Sequence, residues 1–161
     1  MRTKNKDFVH KSQSEFQNLG NLKIGIVVSE WNIDITSNLH KGAVDKLIES
    51  GLKTENITSL WVPGAFELVY GCKELLNKKF DAIIAIGCVI KGETDHYDFI
   101  CNSVSNGIMK LNISGSVPII FCVLTDHNIN QSIARSGGIK GNKGCEAAIA
   151  AIKMSSFNKV I

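Results

Sequence analysis

Residues Ala82–Ile90 read AIIAIGCVI, nine positions with no charged side chain, and the next nine, Lys91–Phe99, read KGETDHYDF. An Ile-rich run of that length does not alternate between apolar and polar, so it reads as a strand buried on both faces rather than a half-wetted one. Three more runs have the same character: LKIGIVVS from Leu22, ITSLWV from Ile57 and PIIFCVL from Pro118. Helical stripes lie between them. Leu39, Ala43, Val44, Leu47 and Ile48 form one, ending at Gly51; Leu68, Val69, Cys72, Leu75 and Leu76 form a second; Ile100, Val104, Ile108 and Leu111 form a third. Apolar strands alternating with amphipathic helices predict a four-stranded parallel sheet with helices on both faces, a single-domain three-layer α/β/α sandwich. Two further helical stretches, NINQSIARSG and GCEAAIAAIKM, follow the fourth strand, separated by the glycine-rich GGIKGNKG.

The totals agree with one domain. A chain of 161 residues, 44% of them apolar, is long enough to bury a core without disulfides or metals. The five cysteines form no C-x-x-C pair and several sit inside apolar runs, so they read as core residues in a reducing compartment. A net charge of +3, with basic residues spread along the chain, argues against nucleic acid as a partner. The N-terminal MRTKNKDFVHKSQSEFQ lacks the apolar stretch of a signal peptide, and no run approaches bilayer-spanning length. The expectation is a cytoplasmic protein with a flexible arm over residues 1–20 and a domain over 21–158.

In open parallel sheets ligands collect where strands end and loops expose backbone N–H groups. Four stretches fall there: SEWN, VPGAFE, GCVIKGETDH and FCVLTDH. Residues 87–94, GCVIKGET, nearly match the phosphate loop G-x-x-x-x-G-K-[ST], but Glu93 stands where the lysine belongs. A carboxylate there would repel the β- and γ-phosphates of a nucleotide, so a single phosphate ester held with an arginine from elsewhere is the better fit. The same residues also fit an ordinary helix start capped by Thr94 or Asp95. His96 has the side chain suited to passing protons near neutral pH, although an exposed histidine commonly does nothing more. Asp95, His96 and Asp98 make a weak metal set, since no second histidine lies at ligand spacing. Glu67 suits either the start of a helix or the donors of a ring; Trp31 suits either packing or a stacked heterocycle; Arg135 and Lys143 suit either solvation or a phosphate.

Taken in order, VPGAFELVYGCKEL, DAIIAIGCVIKGETDHYDFI, PIIFCVLTDHNINQSIARSG and GNKGCEAAIAAIKM resemble the blocks of the lumazine synthase family, from about Leu22 to Met154. The resemblance implies a flavodoxin-like sheet and a condensation of 5-amino-6-(D-ribitylamino)uracil with 3,4-dihydroxy-2-butanone 4-phosphate. The products would be 6,7-dimethyl-8-ribityllumazine, phosphate and water, in the penultimate step of riboflavin biosynthesis, with no cofactor or metal. By the family's pattern, Trp31, Ala65, Phe66, Glu67, Cys88, Val89, Ile90 and Phe121 hold the pyrimidine. Glu93, Thr94 and Arg135 hold the phosphate, Lys143 adds positive charge, and His96 transfers protons. The resemblance further implies two small-molecule substrates, a pentamer or multiple of pentamers with Phe121 and Arg135 reaching into a neighbour's site, and riboflavin synthase as a candidate partner. Trp31 replaces the family's usual phenylalanine, and Lys91 stands where arginine is common.

Three other classes compete with this reading: a non-catalytic flavin- or phosphate-binding module, which would purify yellow and turn nothing over; a P-loop NTPase, opposed by Glu93; and a purely structural shell protein.

Overall fold

The computed structural model describes residues 19–157. Most of the expected arm, residues 1–18, and the last expected domain residue, Asn158, lie outside the described residues. Leu19–Asn21 form a 3₁₀ turn, and Leu19 already packs against the core.

Four parallel strands, β1 (Ile24–Ser29), β2 (Ile57–Val62), β3 (Ala82–Ile90) and β4 (Ile119–Asp126), pair in the order β2-β1-β3-β4. The register is continuous: Ile24 lies beside Ile57 and Ala82, and β3 pairs with β4 from Ile83↔Ile119 to Ile90↔Asp126. Among the described residues five α-helices accompany the sheet: α1 (Ile33–Glu49), α2 (Leu68–Leu76), α3 (His96–Ser114), α4 (Ile129–Arg135) and α5 (Lys143–Ser155). Between α4 and α5, the stretch read only as glycine-rich forms a short antiparallel hairpin, β5 (Ser136–Gly138) and β6 (Gly141–Asn142).

The alternation of side chains along β3 explains the two cores. Ile84, Ile86 and Cys88 face one side, where they meet Ile35, Leu39, Ala43 and Leu47 of α1 and Ala147, Ala148, Ala151 and Ile152 of α5. Ile83 and Ala85 face the other, against Leu68, Cys72 and Leu75 of α2 and Val104 and Ile108 of α3. This is the expected α/β/α sandwich. Two readings need correction. The strand at Ile57 is an edge strand, with Leu60 and Trp61 each about 40% exposed, so it is not covered on both faces. The alternative reading, a side-chain cap from Thr94 or Asp95, is not realised either: Asp95 occupies the cap position of α3 with helical backbone angles and makes no side-chain cap bond. All five cysteines are free, and Cys72, Cys88 and Cys122 are buried. Among the described residues no helix is long and apolar enough to cross a membrane.

Candidate active site

Three strand exits converge. Beyond the end of β1, parallel pairing continues through Glu30 N–H to the Val62 carbonyl (2.8 Å) and Trp31 N–H to the Pro63 carbonyl (3.2 Å), which holds Trp31 beside the exit of β2. Asn32 then turns the chain into α1 with left-handed backbone angles (φ 59°, ψ 48°), the only non-glycine residue at positive φ among those described. Asparagine tolerates this region because its short side chain bonds locally. Here its amide donates to the carbonyl of Cys88 on β3, at 2.9 Å, and so ties two strand ends together.

At the exit of β2, Pro63 and Gly64 lead into a turn closed by Leu68 N–H to the Ala65 carbonyl, and Glu67 takes the cap position of α2. A β-carbon on Gly64 would lie 2.9 Å from Glu67 Oε2 and 3.4 Å from Trp31 Cδ1. The glycine therefore lets the carboxylate and the indole approach the same stretch of backbone. At the exit of β3, Cys88 is buried and Val89 and Ile90 are half-buried. Burial raises the Cys88 thiol above its ordinary pKa, partly opposed by its hydrogen bond to Ser132, so it is not a nucleophilic thiolate. His96 is the first residue of α3, one step inside the helix, and it is exposed.

Trp31, Ala65, Phe66, Glu67, Cys88, Val89, Ile90 and His96 line one cleft of about 600 Å³, together with Asn32, Gly64 and Ile100, which sequence reasoning did not single out. Most of the walls are apolar, as ligand clefts tend to be, with one carboxylate and one imidazole. Phe121, Arg135 and Lys143 are not in this cleft. They line a separate cavity of about 430 Å³ between the outer side of β4 and α5, with Asp126, Glu146 and Ala147. Its charges are compensated: Lys143 Nζ lies 2.5 Å from Glu146 Oε2, and Arg135 Nη1 donates to the Gln131 carbonyl at 2.9 Å and sits 3.8 Å from Asp126 Oδ1. Glu93 and Thr94, exposed in the loop before α3, line neither cavity.

Lys91, beside that loop, lies with Nζ 5.9 Å from the centre of the Tyr97 ring, and the Tyr97 ring meets His127 edge-on at 6.4 Å. Burial raises the Tyr97 hydroxyl above its usual pKa, keeping it a proton donor rather than a phenolate. No three His, Cys, Asp or Glu side chains among the described residues converge as metal ligands do.

A parallel four-stranded sheet with helices on both faces defines an α/β protein of flavodoxin-like architecture, and the exits of β1, β2 and β3 border a cleft bearing aromatic, carboxylate and histidine side chains. The model of the 6,7-dimethyl-8-ribityllumazine synthase family matches residues 21–159, and the chain belongs to that family. A protein of Christiangramia forsetii with that name is 52% identical over 161 residues, covering 99% of this chain and 96% of its own. One from Flavobacterium johnsoniae is 51% identical over 96% of this chain and 82% of its own, and one from Bacteroides fragilis is 50% identical over 84% and 96%.

Proposed function

We infer that the chain is a 6,7-dimethyl-8-ribityllumazine synthase, condensing 5-amino-6-(D-ribitylamino)uracil with 3,4-dihydroxy-2-butanone 4-phosphate and releasing phosphate and water. It is a transferase of the penultimate step in riboflavin biosynthesis. The observation that carries the reading is the cleft in which eight of the residues named from the family's pattern meet.

In this reading the pyrimidine stacks on Trp31. Its polar edge meets the Glu67 carboxylate and the backbone of Ala65–Phe66 and of Cys88–Ile90, while Phe121 closes the far side. Arg135 holds the phosphate ester with the backbone of Glu93–Thr94, and Lys143 adds charge. The substrate's amine attacks the ketone, an imine forms with loss of one water, phosphate is eliminated, and the ribitylamine nitrogen closes the ring onto the remaining carbonyl with loss of a second water. Each step moves protons, and His96 at the mouth of the cleft is the side chain for that work. Holding two substrates together supplies the rest of the rate, since no covalent enzyme intermediate is required.

Phe121, Arg135 and Lys143 line a different cavity from the eight residues that share the cleft, which supports a site completed by a second copy: each chain gives its cleft to one site and its β4–α5 cavity to the next. A ring of five, alone or in multiples, is the arrangement proposed, acting in the cytoplasm and passing its product to riboflavin synthase.

The test is to mix the purified protein with both substrates and follow lumazine absorbance and phosphate release. Product above the uncatalysed background is expected, and its absence would sink the enzyme reading. His96→Ala should lower kcat on the order of 10²-fold without altering particle size; unchanged turnover at every pH would remove His96 from the mechanism.

A further inference from the structure

The chemistry above leaves one buried carboxylate unused. Asp126 closes β4 with 7% of its surface exposed, and its two oxygens face different partners. Oδ2 accepts a 2.9 Å hydrogen bond from Oγ of Ser132, a residue of α4 with no exposed surface. Oδ1 lies 3.8 Å from Nη1 of Arg135, one turn further along the same helix. The contacts continue in the other direction, where the Cys88 thiol donates to Ser132 Oγ at 3.4 Å and so reaches the wall of the first cleft.

A buried carboxylate persists only with hydrogen bonds and a cation beside it, and α4 supplies both. The benefit runs the other way as well. Arg135 is the last residue of the seven-residue α4, and a long arginine side chain loses rotamer freedom when it is held in one orientation. Here Nη1 is engaged by the Gln131 carbonyl and faces Asp126, which orients the guanidinium and leaves its other N–H groups to meet a ligand.

We propose that Asp126 is a positioning residue for Arg135: locked by Ser132, its carboxylate fixes the guanidinium in the orientation that receives the phosphate ester of the four-carbon substrate. This rests on the reading of Arg135 as the phosphate's cation.

A double-mutant cycle on the assembled enzyme tests it. Asp126→Asn should raise KM for the butanone phosphate and the inhibition constant of inorganic phosphate together, about tenfold, with KM for the ribitylaminouracil changed less than twofold and kcat little affected. Asp126→Glu, which keeps the charge, should recover part of the loss. In an Arg135→Ala background, Asp126→Asn should add nothing. Tighter phosphate binding in Asp126→Asn, no change in it, or an equal loss with and without Arg135 would each overturn the proposal. If Arg135→Ala raises KM and Asp126→Asn does not, only the positioning role fails; if Arg135→Ala leaves KM unchanged, the phosphate role of Arg135 fails and takes the proposal with it. Should Asp126→Asn not assemble, Ser132→Ala, which removes only the hydroxyl on Oδ2, carries the same cycle with an expected loss of about threefold.

Discussion

The side-chain amide of Asn32 donates to the backbone carbonyl of Cys88 across 2.9 Å, joining a left-handed turn at the end of β1 to the end of β3. Both residues line the cleft, so this bond fixes the distance between two of its walls. Replacing Asn32 separates the bond from the backbone geometry. Asn32→Gly loses a hydrogen bond, about 1 kcal/mol, but keeps a residue at ease at positive φ. Asn32→Ala loses the same bond and forces a β-carbon into the left-handed region, at about 1 kcal/mol more. Denaturant midpoints should rank wild type above Gly above Ala; equal midpoints for the two variants would show that the turn relaxes out of the left-handed region.

A second prediction concerns the contact between α1 and α5. A β-carbon on Gly144 would fall 1.9 Å from the carbonyl oxygen of Leu39, which is backbone and cannot swing aside. Gly144→Ala must therefore push the two helices apart and should destabilise the fold by about 3 kcal/mol. At Gly92 a β-carbon meets nothing within 4 Å, so Gly92→Ala is the control and should stay within about 0.5 kcal/mol of wild type. A Gly144→Ala protein with an unshifted unfolding midpoint would mean the helices are less closely held than the structure has them.

How much of this was legible beforehand follows from the physics of each element. The strand at Ala82 and the helix at Leu68 begin where their apolar patterns begin, because burial dictates them, and the strand at Ile57 begins with its β-branched and aromatic run although it lies half-exposed at the sheet edge. The first helix starts at Ile33, six residues before the stripe noticed at Leu39, because Asn32 opens it by backbone conformation and not by a side-chain cap. The β5–β6 hairpin was missed because it is too short for periodicity, and because its stretch, with Gly137 (φ 121°) and Gly141 (φ 75°), read only as glycine-rich. For the site, residues at strand exits could be named from position and from likeness to a family. That Phe121 and Arg135 open onto a different cavity depends on β4 being the sheet's edge, which no local pattern encodes. Asp126 and Ser132 carry no motif; only their burial and mutual contact single them out. Asn32 did leave a signal, an asparagine directly after a strand exit, the side chain most at home in a left-handed turn.

The pH dependence of stability should carry the mark of His40. Its Nε2 lies 2.7 Å from Ser59 Oγ, its ring packs 5.6 Å from that of Trp61, and burial lowers its pKa from the ordinary 6.5. A folded-state pKa below the unfolded one means that the unfolded chain takes up the proton first on acidification. The contribution is complete above pH 6.5 and is lost as pH falls from there through the lowered folded value. His40→Gln should flatten that part of the stability–pH curve in denaturant titrations. A variant with the wild-type slope would assign the acid sensitivity to other groups.

Trp31 offers the most direct reading of ligand placement. Its side chain is 73% exposed, an unusual state for an indole unless something flat covers it, and Gly64 leaves room for its edge against the backbone. Trp31→Phe keeps a stacking face and should hold KM for the ribitylaminouracil within about threefold of wild type. Trp31→Ala removes the face, and a loss of about 1.4 kcal/mol should raise that KM about tenfold. KM for the butanone phosphate should stay put in both variants, because no phosphate contact passes through the indole. Fluorescence gives an independent readout in a Trp61→Phe background, where Trp31 is the sole indole: the pyrimidine should quench it and inorganic phosphate should not. If Trp31→Ala left KM for the pyrimidine unaltered, the ring would have to lie against Phe66 instead, the other exposed aromatic lining the same cleft.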